Sequence, residues 1–463
     1  MIEAIVTYLR ASLTRKIRRF FVAEVPLAKK KFSLQLVTTG DLNEDGYCSV
    51  ESDPKLGVYG ALPGEELTVM PFTRRQRRIF ARPTEIHTSH IDRVQPPCSV
   101  ADVCGGCSLQ HLDADRQIQF KQQFVKDTFA DLQPAEWFEP LRGDVFNYRA
   151  KGRLGVKFVD KKQKVLVGFR EQLKPFIVET KQCHVLREPV GQLIPDLANL
   201  VEGLSIPREL PQIEVAVSEG VVAFVFRHLA DLQPEDLQAL VSFAKKHSTE
   251  HQQIQMYLQP NPPEVIHRIY PETGSDYLHY TLEQFDLKFE FLPLDFTQVN
   301  PSINTKMVAK AVELLGLTSN DQVFDAFCGI GNFSLALARS AGHVLGIEAS
   351  EQSVVRARHN ADLNGINNCV FMAQNLFAES PEIQGLERVN KVLLDPPRSG
   401  AESLCKKLAS HKVERVVYVS CNPVSLARDA KILVANGYKF DGAGVIDMFP
   451  HTTHVESIAS FSI

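Results

Sequence analysis

The sequence predicts a three-part α/β chain: a small N-terminal β-barrel of the oligonucleotide-binding type, an α+β central part, and a C-terminal doubly wound, Rossmann-like domain. Three observations carry this. With 463 residues the chain exceeds what one hydrophobic core supports, so two or three domains are expected. Over residues 27–88, short alternating strands are punctuated by glycines at 40, 46, 57, 60 and 64, the pattern of a small barrel. Over 291–463, apolar strands alternate with helical periodicities, the pattern of a parallel sheet covered on both faces.

The parts follow in order. Residues 1–26 form a basic, partly apolar extension (Arg10, Arg15, Lys16, Arg18, Arg19) without the uninterrupted apolar core of a secretory signal. In the barrel, Phe32, Leu34 and Leu36 alternate, as do Leu67 and Val69. The central region, 89–290, opens with a cysteine cluster, continues into a helix near 111–132 and then into strands. In it Leu154, Val156 and Phe158 alternate with Gly155 and Lys157, although periodicity does not fix its topology. The last region, 291–463, begins with a helix marked by Val308, Ala311, Val312 and Leu315. Strands are predicted at 322–327, 343–348, 369–373, 391–394, 415–419 and 457–463.

Composition excludes several classes. Hydrophobic residues are 44% and charged residues 23%, values of an ordinary globular protein. No run reaches the about 18 to 20 apolar residues of a membrane span, and a cytoplasmic monomer without membrane contact is expected. The net charge of −4 argues against a generic polyanion binder, yet residues 1–90 hold 14 Lys and Arg against 10 Asp and Glu. Basic residues cluster at Lys29–Lys31, at Arg74, Arg75, Arg77 and Arg78, and from Arg149 to Lys164. Such stripes either track phosphates or are solvated faces. Nine cysteines in a chain without an export signal suggest metal binding or catalysis rather than disulfides.

Four local patterns carry chemistry. The turn Cys328-Gly-Ile-Gly-Asn-Phe333 joins a buried strand to a helix, and the next strand ends in Glu348, placed to accept hydrogen bonds from ribose hydroxyls. A dinucleotide site usually carries a third glycine where this chain has Ser334. S-adenosylmethionine, which lacks a pyrophosphate, therefore fits better than NAD. Asp395-Pro-Pro-Arg-Ser-Gly400 follows an apolar strand, and its two prolines make a rigid corner beside the crevice of the sheet. Cys421, in Ser420-Cys-Asn-Pro423, ends another strand at the same edge, and Glu456 lies beside the final strand. A cysteine, a base and a methyl donor in one crevice suit methylation of a pyrimidine C5. Addition of the thiolate at C6 makes C5 nucleophilic, and a base must then remove the C5 proton so that the thiolate can leave. The target base would have to leave its stack, and Phe296 is the first candidate to stack on it.

The fourth pattern is Cys98-x5-Cys104-x2-Cys107, ending in Cys-Gly-Gly-Cys, with Cys183 far downstream. Four thiolates, three of them on a tight glycine turn, suit either zinc or an iron–sulfur cluster.

Taken together, Phe324–Phe333, Asp395–Gly400, Ser420–Pro423, His454-Val-Glu-Ser457 and Gln298 within Asp295–Asn300 resemble the motif set of the RNA uracil-C5 methyltransferases. Gly60-Ala-Leu-Pro-Gly-Glu65 is similar to a segment of TRAM domains, RNA-binding barrels appended to RNA-modifying enzymes. The resemblance covers nearly the whole chain from about residue 24. It implies Cys421 as nucleophile, Glu456 as base and a cofactor pocket lined by Gln298, Phe327, Asn332, Glu348, Asn375 and Asp395, with Asp395 also at the target base. It further implies a 23S ribosomal RNA substrate and a [4Fe–4S] cluster on Cys98, Cys104, Cys107 and Cys183, because the subgroup dedicated to that RNA carries this spacing with the barrel. The cluster is expected to serve folding or RNA contact. Two competing readings are a related enzyme acting on transfer RNA or cytosine, and a non-catalytic RNA-binding assembly factor. The intact Cys421, Glu456 and Asp395 set weighs against the second.

Overall fold

The computed structural model describes residues 32–260, 265–378 and 382–463; the N-terminal extension and the Lys29–Lys31 run lie outside them. Five strands, β1 (Gln35–Leu42), β2 (Tyr47–Val50), β3 (Leu56–Tyr59), β4 (Glu66–Arg75) and β5 (Arg78–Thr88), close into a barrel in the order β1-β2-β3-β5-β4. Its core is Val37, Cys48, Val50, Leu56, Val58, Leu67, Val69 and Ala81. The alternation at the start of β1 is in the opposite register to the one Leu34 and Leu36 suggested. Those side chains are 56% and 64% exposed, while Val37 and Thr39 point inward. Thr39 is tolerated there because its hydroxyl donates to the carbonyl of Leu62 at 2.5 Å, so the buried polar group is paired.

The barrel leads into α1 (Ala114–Thr128), capped by Asp113, whose carboxylate accepts from the backbone N–H groups of Asp115 and Arg116. The short strand β6 (Glu136–Trp137) follows, then β7 (Lys151–Val159), β8 (Lys164–Gly168), α2 (Ile194–Glu202), β9 (Gln212–Val217) and β10 (Val221–Arg227). Next come α3 (Pro234–His247), β11 (Gln253–Gln259), β12 (His267–Tyr270) and the hairpin β13 (Leu278–Leu282)–β14 (Leu287–Phe291). A six-stranded central sheet runs β12-β11-β10-β9-β7-β8. Helices α2 and α3 bury Leu197, Val201, Leu240 and Ala244 in one core with this sheet. In a second cluster, Ala216, Ala223, Val225 and Tyr257 meet Leu278 and Phe291 of the hairpin and Ile330 of the glycine turn.

The C-terminal elements are α4 (Pro301–Leu315), β15 (Gln322–Ala326), α5 (Ser334–Ala338), β16 (His343–Glu348), α6 (Glu351–Leu363) and β17 (Cys369–Ala373). They continue with β18 (Lys391–Leu394), α7 (Glu402–His411), β19 (Arg415–Ser420), α8 (Pro423–Ala435), β20 (Lys439–Ile446) and β21 (Glu456–Ser462). The eight-stranded sheet runs β17-β16-β15-β18-β19-β21-β20-β6, parallel from β17 to β19, with β21 antiparallel to both neighbours. Strand order reverses between β15 and β18, which opens a crevice at their carboxyl ends. Helices α4, α5 and α6 pack in one core against the sheet, and α1, α7 and α8 in another.

Packing does not follow the linear cut at residue 291. Val125 and Phe129 of α1 belong to the core of the C-terminal sheet, and β6 pairs in parallel with β20. Leu282, Leu287 and Phe289 of the β13–β14 hairpin are also buried against that sheet's helices. Two segments of the central stretch thus complete the C-terminal unit.

Candidate active site

The glycine turn after β15 takes three left-handed residues, Phe327 (φ 66°), Gly329 (φ 55°) and Gly331 (φ 90°). A Cβ on Gly329 would meet nothing within 4 Å, so glycine serves the backbone conformation there rather than relieving crowding. Glu348, at the end of β16, accepts from the backbone N–H of Gly329 at 3.3 Å and of Ser350 at 3.0 Å. The Phe327 ring lies 5.4 Å from that of Phe377, and Asn375 shapes the loop between them by accepting from the Phe377 N–H at 2.9 Å. Asn332 is held differently. Its side-chain amide exchanges two hydrogen bonds with Asn304, both 2.9 Å, and accepts a third from the Tyr280 hydroxyl at 2.9 Å. Gln298 sits in the loop before α4. That loop is tied down by Lys151 Nζ donating to the Asp295 carbonyl, by the Arg356–Asp295 ion pair at 3.1 Å and by the Ala150 N–H donating to the Val299 carbonyl at 2.7 Å. On the same loop Phe296 is 75% exposed.

The three residues expected to do chemistry meet at the edge where the parallel strands end. Asp395 follows β18 and Cys421 follows β19. Because β21 runs antiparallel and pairs Ser457 with Ser420, its first residue, Glu456, faces the carboxyl end of β19. Three loops are cross-linked there. Arg398 donates to His454 Nδ1 at 2.9 Å, Asn422 donates to the Arg398 carbonyl at 2.9 Å, and the Ser457 hydroxyl donates to the Ser420 carbonyl at 3.4 Å. Gly400 (φ 76°) lets the Asp395 loop pack on α8, since a Cβ there would lie 2.6 Å from both Arg428 and Asp429. Asp429 in turn accepts from the Ala401 N–H and the Tyr418 hydroxyl, each at 2.7 Å.

Burial sets the acidities. Asp395 is pushed up to about 7 by burial. Burial, and secondarily the Asp395 charge, raise Glu456 to about 8, with Lys121 pulling the other way. The Cys421 thiol is raised by burial and by Glu456 and Asp395, while Arg398 lowers it. Glu456 Oε2 is buried with no hydrogen-bond partner among the described residues. A carboxyl group of raised pKa beside a thiol and a second acid is an arrangement suited to moving a proton.

The four candidate ligand cysteines converge as well. Cys98, Cys104, Cys107 and Cys183 line one pocket with Val100, Phe169, Val178 and Val185. Burial first, and then mutual repulsion, raises Cys107 to about 12, and burial likewise raises Cys104 to about 11. Cys98 and Cys183 are raised as well. Among the described residues, no group of three or more His, Cys, Asp or Glu is arranged to hold a metal ion.

The basic stretches separate into two kinds. Arg74, Arg75 and Arg77 are exposed at the tip of the β4–β5 hairpin, whose Gln76-Arg77 turn has positive φ at both residues. Of the Arg149–Lys164 stretch, by contrast, Arg153 pairs with Glu214, and Lys162 and Lys164 with Glu179. Sequence reasoning missed Lys121, Asp447, Tyr280, Asn304 and Phe377. Each is a common residue type that acquires its role only from partners remote in the chain.

Similarity to known proteins decides the family. The model of the tRNA (Uracil-5-)-methyltransferase family matches residues 113–461. The chain belongs to this family. Among curated relatives, the 23S rRNA (uracil(1939)-C(5))-methyltransferase of Hahella chejuensis is 44% identical over 94% of this chain and 98% of its own length. The enzyme of the same name from Methylococcus capsulatus is 45% identical over 87% and 91%. A solved structure, the Pyrococcus abyssi tRNA (uracil-54, C5)-methyltransferase in complex with S-adenosyl-L-homocysteine, shares the fold with a TM-score of 0.71. It is 25% identical and covers 92% of this chain and 99% of that one. In this uracil-5-methyltransferase family member the barrel and Cys98, Cys104 and Cys107 precede the matched region, whereas Cys183 falls inside it. No helix among the described residues is long and apolar enough to cross a membrane.

Proposed function

We propose that this protein is an S-adenosylmethionine-dependent methyltransferase that converts a uridine of 23S ribosomal RNA, the counterpart of position 1939, to 5-methyluridine. The observation that carries the reading is the antiparallel pairing of Ser420 with Ser457, which brings Cys421 and Glu456 together beside Asp395. The open glycine turn, Glu348 and the Phe327–Phe377 pair fit the cofactor, with the aromatic rings suited to its base and the carboxylate to its ribose. Bound there, the cofactor supplies an electrophilic methyl group on a sulfonium. Gln298, Asn375 and Asp395 are assigned to the same pocket, and Asn332 acts by holding the turn to Tyr280 and Asn304.

In the reaction, Cys421 as thiolate adds to C6 of the uracil, and the ring becomes an enolate whose C5 takes the methyl group as the bond to the sulfonium sulfur breaks, the electron pair staying on that sulfur as a neutral thioether. Glu456 then accepts the C5 proton, the C5–H electron pair re-forms the double bond, and the C6–S bond breaks to return the thiolate. Arg398, which lowers the Cys421 pKa, favours the attacking form. Asp395, raised to about 7, is poised to donate a hydrogen bond to the base. Phe296, exposed on an anchored loop, offers a surface on which a displaced base can stack.

The four cysteines are assigned to a [4Fe–4S] cluster. They line one pocket, and four thiolates are the ligand set such a cluster would take. Burial keeps these thiols protonated, so binding a cationic group there would have to be coupled to loss of their protons. Such a cluster would cross-link the loops that carry the cysteines, a role in folding.

Labelled S-adenosylmethionine and unmodified 23S ribosomal RNA, with the product nucleoside identified, test the assignment. One 5-methyluridine per molecule is expected. With Cys421→Ala, transfer should vanish while RNA binding persists; full activity in that variant overturns the mechanism. Transfer to transfer RNA alone would keep the chemistry and reassign the substrate, and transfer to neither would revive the non-catalytic reading.

A further inference from the structure

Residues 447–453 connect β20 to the strand that begins with Glu456, and one stretch of chain more than 300 positions earlier holds them. The backbone N–H groups of Ser108 and Leu109 both donate to the His451 carbonyl, at 2.8 and 2.9 Å, and the Thr453 N–H donates to the Ser108 hydroxyl at 3.2 Å. Gln117 accepts from the His451 N–H at 2.9 Å, and its amide donates to the carbonyls of Leu112 at 2.7 Å and Leu109 at 3.0 Å. One side chain therefore ties the Leu109–Leu112 turn to the backbone of His451. A turn further along α1, the fully buried Lys121 pairs with Asp447 at 2.7 Å and donates to the Phe449 carbonyl at 2.9 Å. His451 itself sits at φ 64°, a strained conformation for a non-glycine residue that persists only where the surroundings over-determine it.

A connecting loop has no reason of its own to be held by so many internal bonds. Its grip matters because the residue it delivers must reach a C5 proton within hydrogen-bond range. We propose that Gln117 and Lys121 are positioning residues for Glu456: through residues 447–453 they fix where the carboxylate stands relative to Cys421. The inference rests on the assignment of Glu456 as the base. It also gives the loop after Cys107 a role, since Ser108 and Leu109 carry the same grip one and two residues beyond a candidate cluster ligand.

A positioning defect has a signature that a general folding defect lacks. Nucleophilic addition and methyl transfer precede proton removal, so a misplaced base leaves methylated RNA attached to Cys421. The experiment is a single turnover with labelled methyl donor on the intact protein, following the denaturant-stable protein–RNA adduct, with donor affinity measured by calorimetry. For Gln117→Leu, donor affinity should match wild type while the adduct persists longer by on the order of tenfold to a hundredfold, the cost of a misplacement of about 1 Å. Adduct breakdown at the wild-type rate with donor binding intact overturns the proposal. If Gln117→Leu loses donor binding, the same adduct lifetime is read in Gln117→Glu, which keeps the acceptor for His451 but loses the donors to Leu109 and Leu112. Glu456→Ala is the control. If its adduct resolves as fast as wild type, the base assignment itself fails, whereas a persistent adduct there with normal turnover in the Gln117 variants rejects only the positioning role.

Discussion

Glu456 shows how a side chain of ordinary type acquires a specific acidity. Its pKa is raised to about 8, from a usual value near 4.5, by burial and then by Asp395. Between those values the folded protein keeps a proton that the unfolded chain has lost, so stability falls as pH rises through the window from about 4.5 to about 8. Glu456→Gln cannot ionise, so chemical denaturation across that window should show a shallower decline than wild type; an unchanged slope would mean that Glu456 titrates normally. For the proposed base role of Glu456 the sign is opposite, because only the ionised carboxylate accepts a proton. Breakdown of the covalent adduct should therefore accelerate as pH rises through about 8, which rapid-quench measurements over a pH series would detect.

At the scale of elements, Glu65 locks the barrel to the segment that leaves it, through His90 and Arg93. Its fully buried carboxylate accepts from the Leu62 N–H at 2.8 Å and the His90 N–H at 3.1 Å, and pairs with Arg93 at 2.5 and 2.6 Å. Burial opposes ionisation, yet the bonds to Arg93, His90 and Leu62 prevail and hold its pKa below the usual carboxylate range. The stability this supplies is present at neutral pH and is lost as pH falls through that lowered pKa. Glu65→Ala should cost about 3 to 5 kcal/mol, because it strands the Arg93 charge; a loss within error in urea unfolding would show that water replaces the pair. The β4–β5 hairpin makes a different prediction. Replacing Arg74, Arg75 and Arg77 together with Ala should weaken RNA binding across sequences. The slope of log affinity against log salt should fall by about 1 for each phosphate that is no longer neutralised. An unchanged slope would assign the hairpin to solvent. The five parallel strands of the C-terminal sheet and its final strand were legible in the sequence to within a residue, because buried strands read as short apolar runs, whereas β20 was not read as a strand at all. The register of β1 was not. Alternation defines two faces without saying which is inside, and here barrel closure buries Val37 and Thr39 and leaves Leu34 and Leu36 outside.

At the scale of the whole molecule, loops distant in sequence are joined by the cysteine pocket and by the Gln117 hydrogen bonds. With the cysteine pocket assigned to the proposed [4Fe–4S] cluster, Cys183→Ser should lower both the iron content of anaerobically purified protein and its midpoint of thermal unfolding, and wild-type protein without iron would reject the cluster itself. Wild-type iron content in that variant would remove Cys183 from the ligand set. The features legible from residues alone were local: the glycine turn, the proline corner after β18, the cysteine at the end of β19 and the tight Cys-x-x-Cys turn. Each is dictated by backbone sterics and burial within a few residues. Long-range packing alone sets the docking of α1 on the C-terminal sheet, the pairing of β6 at its edge, the grip of Tyr280 and Asn304 on Asn332, and the antiparallel run of β21 that brings Glu456 to Cys421. Those outcomes depend on strand order and on partners as far apart as Lys121 and Asp447. No local pattern encodes them, because they form only when the whole core closes.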